Sequence, residues 1–187
     1  MRGAQLDGAN LSGANLRGTN LGPLQAKTSQ AAVLTNLRGA NLEGADLSGA
    51  DLTGADLRAA RLAGAKLFRA NLVRALLHFA DLRKANLGAA DLTDAKLGGA
   101  IMSSANLRGA RFLRSFLEAV QLDGASVARG DFSGSQGLPS EIDVTAACIG
   151  LGSVTMWCGP PQKTASAEDI RPRARDTQEK GVSPCGD

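Results

Sequence analysis

Large apolar residues recur at every fifth position along most of this chain. From Leu37 the series Leu42, Leu47, Leu52, Leu57, Leu62, Leu67, Leu72, Leu77, Leu82, Leu87, Leu92 and Leu97 continues through Met102, Leu107, Phe112, Leu117, Leu122, Val127 and Phe132, 20 repeats without a slip. An earlier block, Leu6, Leu11, Leu16 and Leu21, keeps the spacing in a different register, because the step from Leu21 to Leu37 is not a multiple of five. We call the large apolar residue the centre of its repeat. The residue two before it is Ala in 19 of the 24 repeats, the residue one before is Asn or Asp in 14, and the residue two after is Gly in 12.

Period five excludes the two simplest elements. In an α-helix five residues advance about 500°, so successive centres would be displaced by roughly 140° and form no stripe. In one continuous strand an odd spacing sends alternate centres to opposite faces. Each repeat must therefore hold a short extended segment and a turn. Within the segment the centre and the Ala two before it share one side and point inward, while the Asn or Asp between them points outward. The Gly-rich phase supplies the corner. Right-angled corners close a square coil every four repeats, so residues 35–134 make five coils and residues 4–23 one more. At ~4.8 Å per coil the stack is on the order of 29 Å tall.

The stretch Ala40 to Leu57, ANLEGADLSGADLTGADL, resembles the pentapeptide-repeat family, whose motif is A(D/N)LXX. The resemblance covers about two thirds of the chain and implies an all-β solenoid, the right-handed quadrilateral β-helix. It implies little about activity, since the family includes topoisomerase-protecting proteins of the quinolone-resistance type, a cyanobacterial differentiation regulator and secreted bacterial effectors. One fold hosts many functions.

Outside the repeats the pattern changes. The step from Leu21 to Leu37 is far longer than one repeat requires, so a loop of about residues 22–32 must leave the coil, with Gly22 and Pro23 at its exit. In the quinolone-resistance relatives such loops help engage the topoisomerase, which gives this one interest; a tolerated insertion is the bland alternative. After Gly134 the repeat stops. Ser140 to Asp143 carries a weak helix-start pattern and Ile142, Ala146 and Ile149 an apolar stripe, so residues 135–158 are expected to cap the last coil, with helical character. From Gly159 to the end the composition is that of a disordered tail. Only Met1 to Ala4 precede the first coil, so its edge is expected to pair with a second copy, as a homodimer, or with another partner.

Composition narrows the function. The net charge is +3, with 21 basic and 18 acidic residues, too small an excess to argue for nucleic acid or a membrane by itself. The weakly polar run Val144 to Cys158 is too short to span a bilayer and no basic-apolar leader opens the chain, so a soluble, cytoplasmic protein is expected, and the resemblance implies a bacterial one. Three Cys and one His make no disulfide framework and no zinc site. Cys148 and Cys158 could pair, although two reduced thiols are the simpler reading. His78 has no nucleophile or carboxylate in reach, and the ladder Asp46, Asp51, Asp56 occupies a motif position, so neither enzymatic activity nor a cofactor or metal is expected.

The surface pattern is more informative. Positions four repeats apart should stack, which places Arg74, Asp94 and Arg114 in one column and Arg61 beside Asp81 as ion ladders. Phe68, Val73, Leu76 and Phe79 stand at outward phases among Arg69 and Arg74, and Leu113 and Phe116 repeat the departure later. These eight residues are the candidate partner-binding set, since exposed aromatic residues beside arginines mark protein interfaces. Residues 58–84 hold seven basic side chains and one acid, but without Tyr or Trp for base stacking a nucleic-acid role is disfavoured. The expected function is a non-enzymatic interaction scaffold acting through the middle coils and the N-terminal loop. The alternative implied by the resemblance is protection of DNA gyrase by DNA mimicry, which the net positive charge opposes.

Overall fold

The computed structural model describes residues 1–25 and 32–138 in full, together with the backbone of Glu141–Ile142, Ile149–Gly150, Met156–Trp157 and Ala165–Ser166. Residues 36–136 form a ladder of parallel bridges, each joining a residue to the one four repeats later: Asn36 to Asp56, Asn41 to Arg61, Asp46 to Lys66, and so on to Phe116 and Gln136. One coil is therefore four repeats, and the stack is a quadrilateral β-helix. The first coil joins it with a longer step, Gln5 to Asn36 through Asn20 to Asp51. Within the surplus of that step Leu24 and Val33 form an antiparallel bridge, with N–H···O contacts of 2.9 and 3.1 Å; residues 26–31 of the expected loop lie outside the described residues.

The interior is the alternation of small and large side chains that the repeat implies. Every centre from Leu16 to Leu117 is buried, and so are the Ala residues two before them from Ala40 to Ala110. Each buried centre contributes about 1.5–3 kcal/mol of transfer free energy. Leu6 and Leu11 in the first coil and Leu122 in the last remain partly exposed. Late in the stack Phe112 and Phe132 replace leucines, with rings parallel at 4.7 Å. Gly130 stands where the motif has Ala, and a Cβ there would come within 2.9 Å of the Phe132 ring. The larger centre is accommodated by the smaller neighbour.

Hydrogen bonding explains the polar motif position. In the repeat Ala40 to Gly44, four N–H groups donate to backbone: Ala40 to Leu37, Asn41 down to Ala9, Leu42 up to Arg61 and Gly44 up to Ala63. The fifth, on Glu43, has no carbonyl and donates to Oδ1 of Asn41 at 3.2 Å. All 14 Asn and Asp at this phase accept the same bond from the residue two later. The side chain supplies the acceptor that the coil geometry leaves out. Asp46, Asp51 and Asp56 each do this, on three different sides, so the ladder serves the turns of the coil. No metal-ligating cluster occurs among the described residues.

The corners require a left-handed backbone. Gly39, Gly44, Gly49 and Gly54 adopt it with φ of 63–66°, but Arg69, Arg74, Phe79 and Lys84 do so too, at 56–59°. A non-glycine residue there is disfavoured by roughly 1–2 kcal/mol.

At Glu141–Ile142, where a helix start is expected, the backbone is extended: this strand, β1, pairs antiparallel with β4, Ala165–Ser166, and β2, Ile149–Gly150, pairs with β3, Met156–Trp157. The β-branched Ile142 suits an extended backbone. Residues 139–140, 143–148, 151–155 and 158 of the expected cap, Cys148 and Cys158 among them, and the expected tail apart from Ala165–Ser166 lie outside the described residues. Among the described residues no helix is long and apolar enough to cross a membrane.

Candidate protein-binding faces

The four repeats of a coil define four faces. The first carries centres Leu37, Leu57, Leu77, Leu97 and Leu117; the second Leu42 to Leu122; the third Leu47 to Val127; the fourth Leu52 to Phe132. First and third are opposite sides of the square. The eight candidate residues separate accordingly: Leu76, Phe79 and Phe116 stand on the first face, Phe68 and Arg69 on the third, and Val73, Arg74 and Leu113 on the fourth. The short segment from Phe68 to Phe79 winds around more than half a coil, so neighbours in sequence are not neighbours on the surface. The basic cluster of residues 58–84 is dispersed over all four faces for the same reason.

On the first face the Asn/Asp motif stops. Asn36 and Asp56 obey it; above them stand Leu76, Lys96 and Phe116, three coils in succession. No other face loses the motif in three consecutive coils. The N–H groups of His78, Gly98 and Glu118 consequently have no acceptor among the described residues. They are stacked at the strand spacing, and Gly137 packs over the uppermost, where a Cβ on it would come within 2.7 Å of the Glu118 nitrogen.

The side chains around these groups form a groove. Gly98 and Gly99 leave a notch one coil high: a Cβ on Gly99 would lie 2.7 Å from Phe79 ring atoms, and one on Gly98 3.3 Å from His78 Cδ2. Phe79 therefore lies across the corner over Gly99, 73% exposed, and Phe116 is 39% exposed above it. His78, Lys96, Gly98, Phe116 and Glu118 line an open groove of about 260 Å³. His78 Nδ1 is buried there without a hydrogen-bond partner. Sequence reasoning found Phe79 and Phe116 by their outward phase but missed Lys96, Gly98 and Gly99; stacking the sequence in rows of four repeats places them together.

The second and fourth faces hold charges in pairs. Arg61 binds Glu43 at 2.6 Å and Arg83 grips its neighbour Asp81 with two bonds on the second face. Arg61 and Asp81 are bridged, as the stacking predicts, but their side chains are taken by other partners. On the fourth face Arg111 reaches Asp91 at 3.2 Å and Arg114 reaches Asp94 at 2.9 Å. The Arg58 guanidinium beside Asp56, low on the first face, and that of Arg83 beside Asp81 hold both carboxyls below their usual range; Arg114 does the same for Asp94. These are exposed pairs, which solvent screening makes weak.

Comparison with known proteins agrees with the geometry. The family model for pentapeptide repeats matches in eight copies, over residues 1–22, 35–72, 70–109 and 100–135. Among solved structures the chain is similar to the pentapeptide repeat protein Rfr23 of the cyanobacterium Cyanothece 51142, at 32% identity over 70% of this chain and 89% of that one, with a TM-score of 0.35. It is similar to HetL, a pentapeptide repeat protein involved in heterocyst differentiation regulation in Nostoc sp. strain PCC 7120, at 28% identity over 83% and 89% of the two chains, with a TM-score of 0.22. It is also similar to a trypsin-treated form of QnrB1, a plasmid-mediated fluoroquinolone resistance protein, at 24% identity over 70% of this chain and 61% of that one, with a TM-score of 0.32. No curated protein matches the sequence. The repeat pattern, the four-repeat bridge ladder and the family match converge: this chain belongs to the pentapeptide repeat family and is a right-handed quadrilateral β-helix.

Proposed function

We propose that the protein is a non-enzymatic scaffold that docks a protein partner on the upper half of its first face. The observation that carries this reading is the loss of the Asn/Asp motif at Leu76, Lys96 and Phe116 in three successive coils. Each loss leaves a backbone N–H without its side-chain acceptor, a hydrogen bond worth about 0.5–1.5 kcal/mol. Phe79 adds a second cost, since a bulky residue at φ 59° is strained. A stack selected for stability alone has no use for these departures. A partner supplying acceptors to the N–H groups of His78 and Gly98 and apolar side chains to the groove beside Phe116 and to the exposed Phe79 ring gives them one. Near the Leu24–Val33 bridge, Leu34 packs against Gly54 at the edge where the fourth face turns into the first.

The non-enzymatic reading is supported by the carboxylates of Asp46, Asp51, Asp56, Asp81, Asp91 and Asp131, which are engaged in turn bonds. Gyrase protection by DNA mimicry would need a long negative surface, and the most negative face, the fourth, carries four acids and three bases. The test is recovery of bound partners by wild type and by Phe79→Ala/Phe116→Ala, with Val73→Ser/Leu113→Ser as the fourth-face control. Loss in the first variant alone is expected; equal recovery by both variants removes the first face. A gyrase supercoiling assay with and without quinolone is expected to show no protection.

A further inference from the structure

The charge of the coils is not spread evenly. The outward positions of the third face hold Arg17, Lys66, Arg69, Arg108 and Arg129 against a single acid, Asp46, a balance of +4. The first and second faces each balance three bases with three acids, and the fourth is at −1. All five ion pairs among the described residues lie on the first, second and fourth faces. The five third-face cations are exposed, and none is in an ion pair with a described residue. Asp46 is held below the usual carboxylate range by the hydroxyl and N–H of Ser48, with Lys66 and Arg17 adding to the effect, so it stays ionised and offsets only one of the five.

The cations form a stripe from the first coil to the sixth, about 24 Å long at ~4.8 Å per coil. Its lower half is shaped: Arg17, Gly18, Ser48, Gly49, Phe68 and Arg69 line a groove of about 290 Å³. Phe68 lies under Gly88, where a Cβ would come within 3.2 Å of the ring, and the Arg69 guanidinium carbon sits 5.1 Å from its centroid. The groove thus combines two unpaired guanidinium groups with a half-exposed aromatic ring on a glycine floor.

From this arrangement we propose that the third face is a second docking site, for an acidic segment of a partner protein that carries an apolar side chain next to its carboxylates. Charge complementarity selects the occupant. Arg17, the Lys66–Arg69 pair and Arg108 stand two coils apart, about 10 Å, which is the separation of every third residue in an extended chain. The apolar side chain fits against Phe68. Single-stranded nucleic acid is bound by successive aromatic platforms, and this face has one. A duplex would lay its dense phosphates over the flanking faces, where Glu43, Asp81 and Asp123 stand on one side and Asp51, Asp91 and Asp131 on the other. The site is independent of the first-face reading, since it lies on the opposite side of the square.

The probe is a fluorescein-labelled peptide of about ten residues with Glu at every third position and Leu beside the second, read by anisotropy against the full chain. Arg69→Glu/Arg108→Glu is expected to weaken binding ~tenfold or more, and Arg69→Gln/Arg108→Gln to weaken it in the same direction by less. Arg74→Glu/Lys84→Glu makes the same change in net charge on the two flanking faces, and should leave affinity within about twofold. Circular dichroism of each variant confirms the fold. Equal weakening by the two Glu doubles would reduce the effect to net charge and overturn the site. Tighter binding of an oligothymidine of equal length, lost with Arg69 and Arg108, would transfer the face to nucleic acid and overturn the proposal as well.

Discussion

The fourth and first faces are adjacent sides of the same square and share one interior, yet their outer surfaces obey different rules. On the fourth, Asp51, Asn71, Asp91 and Asp131 keep their turn bonds and Arg111 and Arg114 are neutralised by Asp91 and Asp94. On the first, the motif ends at Asp56 and is replaced by Leu76, Lys96 and Phe116 with an aromatic groove beside them. In this fold inward positions and the corner set the backbone, and the outward positions are free to differ. Function is therefore sought where an outward position departs from what the backbone itself asks for.

The largest effect should ignore the difference between the faces. Leu72→Ala on the fourth and Leu77→Ala on the first each empty a fully buried centre and should cost about 2–5 kcal/mol in urea unfolding. A cost at Leu77 less than half that at Leu72 would mean that the interior is not common to both. Restoring or removing the motif comes next. Asn71→Ala is expected to lose about 1 kcal/mol by freeing the Val73 N–H, while Leu76→Asp should gain a similar amount by capping His78. If Leu76→Asp destabilises the stack, the open N–H groups are not the weakness described.

Acid sensitivity should follow the paired faces. Carboxyls whose values are depressed by folding contribute stability above the unfolded value near pH 4, and that contribution is lost as pH falls through the folded values. Asp56→Asn/Asp81→Asn/Asp94→Asn keeps an acceptor at Asp56 and Asp81 for the turn bonds and should flatten the loss of thermal stability below about pH 4. An acid limb unchanged by the triple variant would place the sensitive groups elsewhere. The smallest effect concerns the corners. At Ala89, φ 54°, replacement by Gly removes left-handed strain of about 1–2 kcal/mol and returns roughly half as unfolded-chain entropy, for a slight rise in Tm.

Most of the fold was readable because period five carries register. Once each repeat makes one side, the four-repeat bridges, the Arg74–Asp94–Arg114 column and the surplus before Leu37 are arithmetic. The site was less readable. Phe68 and Phe79 look like one cluster in the sequence, and only the winding of the coil shows that they face opposite ways. The partner of Arg61 depends on side-chain reach, which spacing does not encode. The role of Asn and Asp became plain only when each N–H of a repeat was assigned an acceptor. The third-face stripe was available from the sequence, had outward residues been sorted by their position within one coil; a net charge of +3 for the whole chain conceals it.

If the upper first face is the docking surface, a photo-crosslinking residue placed singly at positions 79 and 116 captures one and the same partner, and the same residue at 73 or 113 does not. Capture from 73 and 113 with none from 79 and 116 would move the docking surface to the fourth face.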